Sequence, residues 1–238
     1  SFDKEGSEWI IEVVDRANPN AVCIAFWNGA SDLAQALWKI KQTRSKAQIA
    51  NFVEKLRVYY IAKQDASNQW IIENFPDLWT ILSLDESGNT WISSFRGMFW
   101  GGDMSNTSKA WIHENIHGHT ALADNFPDKA YTGGESKNPH MAMKEGDTPS
   151  FLYFLPNGLN VIEHPEWGGW GGRFKEIRPG FYQDAEDTFY DVSEGKTITS
   201  SRATIFRWRD DFQNDLWRVS IGDQPRNTVE PTTRRWQW

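Results

Sequence analysis

Three groups of polar side chains have the types and positions that could carry chemistry. They are Asn28, Ser31 and Asp32; Gln64 and Asp65; and Glu145 and Asp147. The first two groups follow predicted strands and the third precedes a predicted helix, and ligands of open α/β sheets bind beyond the carboxyl ends of the strands. Carboxylates that meet there with carbonyl oxygens suit a hard cation such as Ca²⁺. Asp147 is equally well placed to cap the helix that follows it.

The stretch HPEWGGWGGRF places two tryptophans among four glycines, with Arg173 after them. Tryptophan offers a large flat apolar surface, whereas glycine lets the backbone turn tightly and approach a neighbour closely. One interpretation is a loop in which Trp167 and Trp170 stack on sugar rings while Arg173 binds hydroxyl groups. The other is an irregular piece of core that buries both indoles. We expect one tryptophan to pack as an anchor and the other to line the cleft that holds Asp147.

Two further segments carry groups that could bind a metal. In HENIHGH, His113 and His117 are four residues apart, but Gly118 is predicted to end the helix that would bring them together. This favours exposed histidines at a helix end over a zinc site. The segment DAEDTF, residues 184–189, is predicted to be a solvated acidic loop rather than a second cation site. The sequence contains no cysteine–histidine zinc spacing, no phosphate-binding loop and no nucleophile elbow.

The elements that would position these groups alternate between strand and helix in the first third of the chain. Continuous apolar runs predict strands at 20–27, 57–62 and 77–83, the first buried on both faces with the single cysteine, Cys23, inside it. Helical spacing of apolar residues predicts helices at 7–17 (capped by Ser7), 32–44, 45–56, 67–75, 108–116, 148–156 and 200–217. The alternation predicts an α/β fold with a mostly parallel sheet and helices on both faces.

Composition excludes several classes of protein. With 25 Lys and Arg against 32 Asp and Glu, the formal net charge is −7, and an acidic surface repels the phosphates of nucleic acids. No apolar stretch is long enough to span a bilayer, and this chain shows no signal peptide. The 14 tryptophans are unusual for an acidic protein and hint at surfaces that stack on sugar rings, although we expect most of them to fill core.

Four motifs occur along the chain in a characteristic order: WNGASDLAQALWKIKQTRS, EGDTPSFLYFLPNGL, HPEWGGWGGRF and DAEDTF. Together they resemble the nucleoside-hydrolase-like family often labelled cellulose-binding proteins, over about residues 7–215. In the parent nucleoside hydrolases, a turn between strand and helix gives a backbone carbonyl to Ca²⁺, and an aspartate at the start of an apolar helix gives a carboxylate. The resemblance places Ser31 at the first position and Asp147 at the second. Gly146 stands where the parents have a histidine that contacts the leaving group.

The resemblance implies a nucleoside-hydrolase-like α/β domain over residues 1–220, followed by a tail or linker over 221–238. The parents begin with a cluster of aspartates that supplies metal ligands and the general base, and this sequence has no such cluster. We therefore expect the first βα units to be absent from this chain, and Ca²⁺ to bind it weakly. The missing N-terminal portion or a second copy of the chain is the expected partner. The same resemblance implies a secreted or periplasmic protein.

Three hypotheses about function follow. The first is a Ca²⁺-dependent hydrolase of a glycosyl bond. Its metal ligands would be Asp147 and the Ser31 carbonyl, and its sugar-binding or supporting residues would be Asn28, Asp65 and Glu145. The second is a carbohydrate-binding module without catalysis, in which the tryptophans of WGGWGG stack on sugars. The third is a scaffold in which those tryptophans are core. Gly146 favours the binding module, and the retained aspartate after it favours the enzyme.

Overall fold

The computed structural model describes residues 4–18, 20–84, 87–128, 142–143, 145–156, 158–192 and 195–220. These residues form two compact units, a larger one within 1–104 and 144–209 and a smaller one within 105–143 and 210–238. The predicted tail over 221–238 lies outside the described residues. Within them, every helix is too short or too polar to serve as a bilayer span.

The helices and strands alternate along the first third of the chain, as the sequence predicts. The helices are α1 (Glu5–Asp15), α2 (Ser31–Thr43), α3 (Lys46–Glu54), α4 (Ala66–Asn74), α5 (Lys109–Asn115), α6 (Thr148–Phe154), α7 (Ala203–Phe206) and α8 (Arg209–Ser220). The strands are β1 (Val22–Phe26), β2 (Leu56–Tyr60), β3 (Thr80–Leu82), β4 (Phe174–Arg178), β5 (Phe181–Asp184), β6 (Asp187–Asp191) and β7 (Lys196–Ser200). Helix α5 and residues 210–220 of α8 belong to the smaller unit.

A mostly parallel sheet forms the centre of the larger unit and confirms the predicted fold class. Its strand order over the described residues is β1-β2-β3-β5-β4, with β1, β2, β3 and β5 parallel and β4 antiparallel to β5. Strands β6 and β7 pair as a separate antiparallel ribbon. The carboxyl ends of the parallel strands therefore meet at one edge, where the sequence places its candidate site residues.

The alternation of side chains along β2 creates a core on each face of this sheet. Val58 and Tyr60 pack in a cluster with residues of α1, α2, α3 and α4. Tyr59 and Ile61 point the other way, into a cluster that contains Tyr153 of α6. Because side chains alternate between the faces of a strand, both faces of a central strand must be covered, and the helices cover them. This confirms the predicted placement of helices on both faces.

Strand β1 departs from its prediction because it lies at the edge of the sheet. Its apolar sequence predicts burial on both faces, yet among the described residues only β2 pairs with it, and most of its side chains are only half-buried. Cys23, predicted to be a buried hydrophobic residue, is exposed. A run of apolar residues is common to central and edge strands, so the pattern alone cannot separate them.

Two predicted helices begin or continue differently from their patterns. Ser7 is not the cap of α1, because the helix begins at Glu5 and the Ser7 hydroxyl donates to the Lys4 carbonyl at 2.7 Å from inside the first turn. The segment 200–217, predicted to be one amphipathic helix, is divided into the end of β7, the short α7 and the start of α8. The apolar period of α8 continues backward through α7 in the sequence, which conceals the break.

The segment DAEDTF is not the solvated acidic loop that its charges predict. Asp184 ends β5 and is only 2% exposed, while Asp187 begins β6. The Asp184 carboxylate accepts hydrogen bonds from the Ser94 backbone N–H at 2.8 Å and from the Ser94 hydroxyl at 2.7 Å. A buried carboxylate needs such donors to offset its lost hydration. Nothing in the local sequence signals that Ser94, ninety residues earlier, provides them.

The glycine-rich loop passes directly against α6 at Gly171. A Cβ at this position would lie 2.5 Å from the Tyr153 Cβ and 2.6 Å from the Pro149 carbonyl oxygen, both within α6. The Tyr59 hydroxyl of β2 donates to the Gly171 carbonyl at 3.0 Å. Glycine is therefore required here for close packing, and the loop, α6 and the sheet meet at this single residue.

We predict that Gly171→Ala lowers the free energy of unfolding by about 1–3 kcal/mol, because the backbone of α6 must shift to admit the methyl group. Gly6→Ala is the matched control. The nearest atom to its added Cβ is a carboxylate oxygen of the half-buried Asp32 at 3.0 Å, and alanine is the better helix former by up to about 1 kcal/mol. Urea denaturation of both variants checks this. Equal stability of the Gly171 variant and the native chain would contradict the packing role.

Candidate functional site

Loops at the carboxyl ends of β1 and β2 contact each other and the start of α6. After β1, the Trp27 indole N–H donates to the Ser150 hydroxyl at 2.8 Å, and that hydroxyl donates to the Asp147 carbonyl at 2.9 Å. After β2, the Gln64 amide donates to the Trp27 carbonyl at 3.1 Å. Segments from all three predicted polar groups therefore lie at the same edge of the sheet. Trp27, which links them, was not among the predicted site residues.

Asp147 precedes α6 but does not cap it with its side chain. Its carboxylate makes no capping hydrogen bond, and no hydrogen bond or ion pair from the described residues reaches it. Although the residue is exposed, partial desolvation raises the pKa of its carboxyl group. Of the two interpretations that the sequence left open, the cap is wrong. The carboxylate is open to a ligand.

Glu145 lies two residues earlier and is partly buried. The Thr148 hydroxyl approaches its carboxylate at 3.4 Å, which is a long hydrogen bond. Burial raises the pKa of Glu145, and this hydrogen bond opposes the shift. Two neighbouring carboxyl groups thus have raised pKa values at the start of α6, which is typical of groups at functional sites.

Asp65 fulfils a structural task that accounts for much of its placement. It caps α4, with its carboxylate accepting from the Asn68 backbone N–H at 3.2 Å and its own N–H donating to the Asn68 side chain at 3.2 Å. The carboxylate also lies against Gly29, where a Cβ would fall 2.0 Å from Oδ2. Asn28, the neighbouring predicted residue, is exposed. The structure brings Asp65 to the loop of Asn28, as the strand-end rule predicts.

Two buried polar atoms close to Asp65 lack a hydrogen-bond partner among the described residues. They are the Tyr60 hydroxyl and the Asn68 Nδ2. Burial and the Asp65 charge raise the pKa of Tyr60, so the hydroxyl keeps its proton. Unpaired buried donors are rare, and each one invites a water molecule or a ligand oxygen. These two donors were not identified from the sequence, because their isolation depends on the packing around them.

Ser31 is the first residue of α2, and the side chain of Lys4 lies beside it. Its hydroxyl accepts a hydrogen bond from the Lys4 ammonium at 3.0 Å, and the same ammonium lies 3.8 Å from Asp32. The Ser31 carbonyl, which was predicted to bind Ca²⁺, begins the helix and is directed along its axis. Ser31 stays a predicted ligand, with a lysine as its observed neighbour.

The described residues at this edge fit Ca²⁺ only in part. The ion takes six to eight oxygen ligands. Asp147 offers an open carboxylate, but Asp65 is engaged in a helix cap. Within the described residues, no group of three His, Cys, Asp or Glu side chains converges at this edge. These side chains alone do not form a calcium site.

The two tryptophans of WGGWGG have different environments. Trp167 ends a short 3₁₀ turn (Pro165–Trp167) and is 64% exposed, whereas Trp170 is half-buried. The His164 ring lies parallel to the Trp167 indole, with centroids 4.0 Å apart and 5° between the planes. One indole face is thus covered by the imidazole while the residue as a whole stays open to solvent. This agrees with the part of the prediction in which one of the two tryptophans stays open to solvent.

A small cavity of about 70 Å³ lies beside Trp167 and is lined by charged groups. Arg173 Nε donates to one oxygen of Asp187 at 2.8 Å, and Arg207 donates to the other at 2.7 Å. Trp208 also lines the cavity, whereas Asp147 does not. The predicted neighbours Trp167 and Arg173 therefore lie together, but in a cavity that does not include the carboxylate they were expected to accompany. The sequence does not reveal that Asp187 pairs with both arginines, because the charges of its segment predict a solvated loop.

The chain matches a protein-family model over most of its length. The model described as "Cellulose-binding Sde182, nucleoside hydrolase-like domain" matches residues 1–174. A solved structure of a nucleoside hydrolase-related hypothetical protein from Saccharophagus degradans, associated with carbohydrate metabolism, is similar to it with a TM-score of 0.63 and 29% identity. The similarity covers 92% of this chain and 48% of that one, so this chain spans about half the length of that relative. No curated protein matches the chain.

We predict that Glu145→Gln stabilises the protein at pH 7 and not in acid. The raised pKa means that folding favours the protonated carboxyl group, so the contribution of Glu145 to stability falls as the pH rises from 4.5, its ordinary value, through the raised pKa. The neutral amide avoids this loss. Urea denaturation between pH 3 and 7 measures the difference, which should vanish below pH 4.5. Glu54→Gln, at an exposed position of α3, is the control. A pH-independent difference for Glu145→Gln would contradict the shift.

Proposed function

Because the chain belongs to the cellulose-binding Sde182 family with its nucleoside hydrolase-like domain, we propose that its larger unit binds a carbohydrate on the exposed face of Trp167. The observation that carries the proposal is the combination of an indole that is 64% exposed with a histidine that fixes its orientation. Leaving such a side chain in water forgoes about 1.5–3 kcal/mol of burial. A ligand that stacks on the indole recovers it.

His164 makes Trp167 a rigid platform. The imidazole stacks on one face of the indole, and its Nδ1 lies 2.9 Å from the Glu166 carboxylate. Glu166 holds the ring in place, and the His164 hydrogen bond lowers the pKa of the carboxyl group. An aromatic group that is already oriented loses little conformational entropy when a sugar ring stacks on it. The second face is the surface that we assign to the ligand.

The charged groups of the neighbouring cavity suit the hydroxyl groups of a sugar. The guanidinium groups of Arg173 and Arg207 supply donors, and Asp187 supplies acceptors, which together match the mixed character of hydroxyls. Asp187 orients both arginines by direct ion pairs, so the donors are positioned before a ligand arrives. We therefore assign Arg173 a role in binding hydroxyl groups beside the stacked ring.

Size separates the binding module from an enclosed active site at this position. Pockets that enclose a small molecule usually measure about 300–1,000 Å³. The cavity beside Trp167 measures about 70 Å³, which admits a few hydroxyl groups but not a whole sugar ring. The site thus suits a polysaccharide or oligosaccharide lying along the surface.

We predict that Trp167→Ala weakens binding of cellohexaose at least about tenfold and reduces retention on insoluble cellulose, because stacking is lost. Trp38→Ala is the control, since Trp38 on α2 is similarly exposed at 49%. Calorimetric titration and cellulose sedimentation measure the two effects. Trp170→Ala should instead lower the melting temperature, since that indole is half-buried.

Three results would contradict the platform. They are native affinity in the Trp167 variant, equal losses in the Trp38 and Trp167 variants, and a Trp167 variant that loses binding only because it unfolds. Adenosine and inosine serve as further probes. Binding of a nucleoside with higher affinity than any oligosaccharide would change the ligand class from sugar to nucleobase, because an indole stacks on either.

Hydrolysis of a glycosyl bond is the second candidate function, favoured by the open Asp147 carboxylate. The carboxylate has no partner among the described residues, and the unpaired Tyr60 and Asn68 donors lie elsewhere on the same edge of the sheet. In this proposal Asp147 binds Ca²⁺ and Glu145, Asp65 and Asn28 contact or support the sugar. Calcium dependence requires oxygen ligands in addition to those of the described side chains.

We predict that, if the chain hydrolyses nitrophenyl glycosides or nucleosides, Asp147→Asn lowers kcat/KM at least about a hundredfold, as loss of a catalytic or metal-binding carboxylate does. Asp77→Asn is the control. Asp77 is exposed in the turn before β3, so it lies at the amino end of that strand and not at the carboxyl end, where the candidate site is. Steady-state kinetics with and without EDTA measure the effect. No hydrolysis by the native chain, or equal activity of both variants, would reject the catalytic candidate and leave the carbohydrate platform unaffected.

A further inference from the structure

The smaller unit contains a cluster of metal-ligating side chains that has no part in the proposed carbohydrate site. His113 lies on α5, which ends at Asn115, and His117 follows two residues later, with the centroids of the two rings 4.7 Å apart. The sequence predicts that Gly118 ends the helix, but the helix ends at Asn115, and Gly118 follows in the turn with a φ of +84°. The sequence favours exposed histidines at a helix end over a metal site, and in the structure His113 is exposed and His117 is half-buried.

Asp128 completes the cluster from a segment that returns to α5. Its carboxylate lies 2.6 Å from His113 Nε2 and 3.2 Å from the Lys109 ammonium. One ligand atom from each of His113, His117 and Asp128 can be chosen so that all three lie within 4.8 Å of one another. Asp128 is fifteen residues from His113, so helical spacing could not reveal it.

We propose that His113, His117 and Asp128 form a site for a divalent transition-metal ion of the zinc class, with water as the fourth ligand. Two imidazoles and one carboxylate around an open position are a combination that zinc accepts. Hard cations such as Ca²⁺ prefer oxygen ligands alone, so this site differs in chemistry from the calcium site proposed near Asp147.

The hydrogen bonds around His117 favour this use. Its Nε2 lies 2.9 Å from the Phe126 carbonyl oxygen, which can only accept a hydrogen bond, so Nε2 carries the proton. In the neutral ring, Nδ1 then holds the lone pair that a metal requires. A backbone carbonyl on the other ring nitrogen is a usual partner of a metal-bound histidine, because it fixes both the tautomer and the orientation of the ring.

The distances allow closure around an ion by side-chain rotation. With zinc bonds of about 2.0–2.1 Å, tetrahedral ligand atoms lie about 3.4 Å apart. The present separations of at most 4.8 Å must therefore change by about 1.4 Å or less. The His113 and Asp128 side chains are 50% and 25% exposed, so they have room to move and the ion has a path to them.

Lys109 competes with the ion for the Asp128 carboxylate. The His113 ring and the Lys109 ammonium group both contact the Asp128 carboxylate. An arriving cation must displace the ammonium group of Lys109. If the cluster binds a metal ion, removing the ammonium group of Lys109 should strengthen that binding. If the cluster were only an ion-pair network, the same change would weaken it.

The test is calorimetric titration of Zn²⁺ into the full chain without an affinity tag, after treatment with EDTA. We expect one equivalent of Zn²⁺ to bind with a Kd in the micromolar range or below, and millimolar Ca²⁺ to leave it bound. Co²⁺ in place of Zn²⁺ should give the intense visible absorption of a four-coordinate site.

Variants separate this site from non-specific binding. His113→Ala, His117→Ala and Asp128→Asn should each weaken Zn²⁺ binding at least about tenfold, and Lys109→Gln should strengthen it. His119→Ala and His164→Ala are the controls and should bind as the native chain does. Circular dichroism of each metal-free variant verifies folding, and any variant that fails to fold is replaced by its glutamine counterpart.

Four outcomes would overturn the proposal. They are no binding of Zn²⁺ below 100 μM, unchanged affinity in the His113 and His117 variants, equal losses in the His119 or His164 controls, and weaker binding in Lys109→Gln. None of these measurements involves a carbohydrate, so the site and the Trp167 platform stand or fall separately.

Discussion

The contact of Gly171 with α6 is the constraint on which both candidate sites of the larger unit depend. The contact positions α6, which begins after Asp147, and it also positions the loop that carries Trp167 and Arg173. Tyr59 ties the same residue to a central strand by its hydroxyl. A side chain at position 171 would separate three elements at once. Much of the glycine content of the loop therefore serves packing, and the exposed tryptophan is built on a rigid base.

Two aspartates near the carboxyl ends of the parallel strands illustrate how surroundings decide the role of a side chain. Asp184 is enclosed and satisfied by two donors of Ser94, so it holds a loop to the sheet. The Asp147 carboxylate has no hydrogen-bond or ion-pair partner among the described residues, and the residue is exposed. The same chemical group is structural in one place and free for a ligand in the other. Only the three-dimensional positions of donors distinguish them.

The sequence predicts the first third of the fold well because its signals there are local. Continuous apolar runs correspond to β2 and β3, Ser45 caps α3 with a capping box to Gln48, and Leu33, Leu37 and Ile40 form the buried face of α2. The later strands were not predicted, because β4, β6 and β7 carry mostly exposed or half-buried side chains. Their pairing depends on partners across a turn rather than on apolar runs.

In the candidate sites, too, the sequence predicts the features that depend on local signals and not those that depend on distant partners. The strand-end rule correctly brings Asp65 and the start of α6 to one edge, since strand ends follow from the elements themselves. It cannot locate the stacking of His164 on Trp167, the partners of Asp187, or the approach of Asp128 to two histidines. Each of these depends on a side chain from a segment whose path the sequence does not specify.

The position of β1 has a consequence for the protein in solution. Its outer backbone edge has no strand partner among the described residues, and its sequence VCIAF contains no charge, proline or glycine that would discourage pairing. A second polypeptide can add to such an edge by backbone hydrogen bonds alone. Cys23 lies on that strand and is exposed, while partial burial raises the pKa of its thiol. Association through this edge would therefore increase with protein concentration.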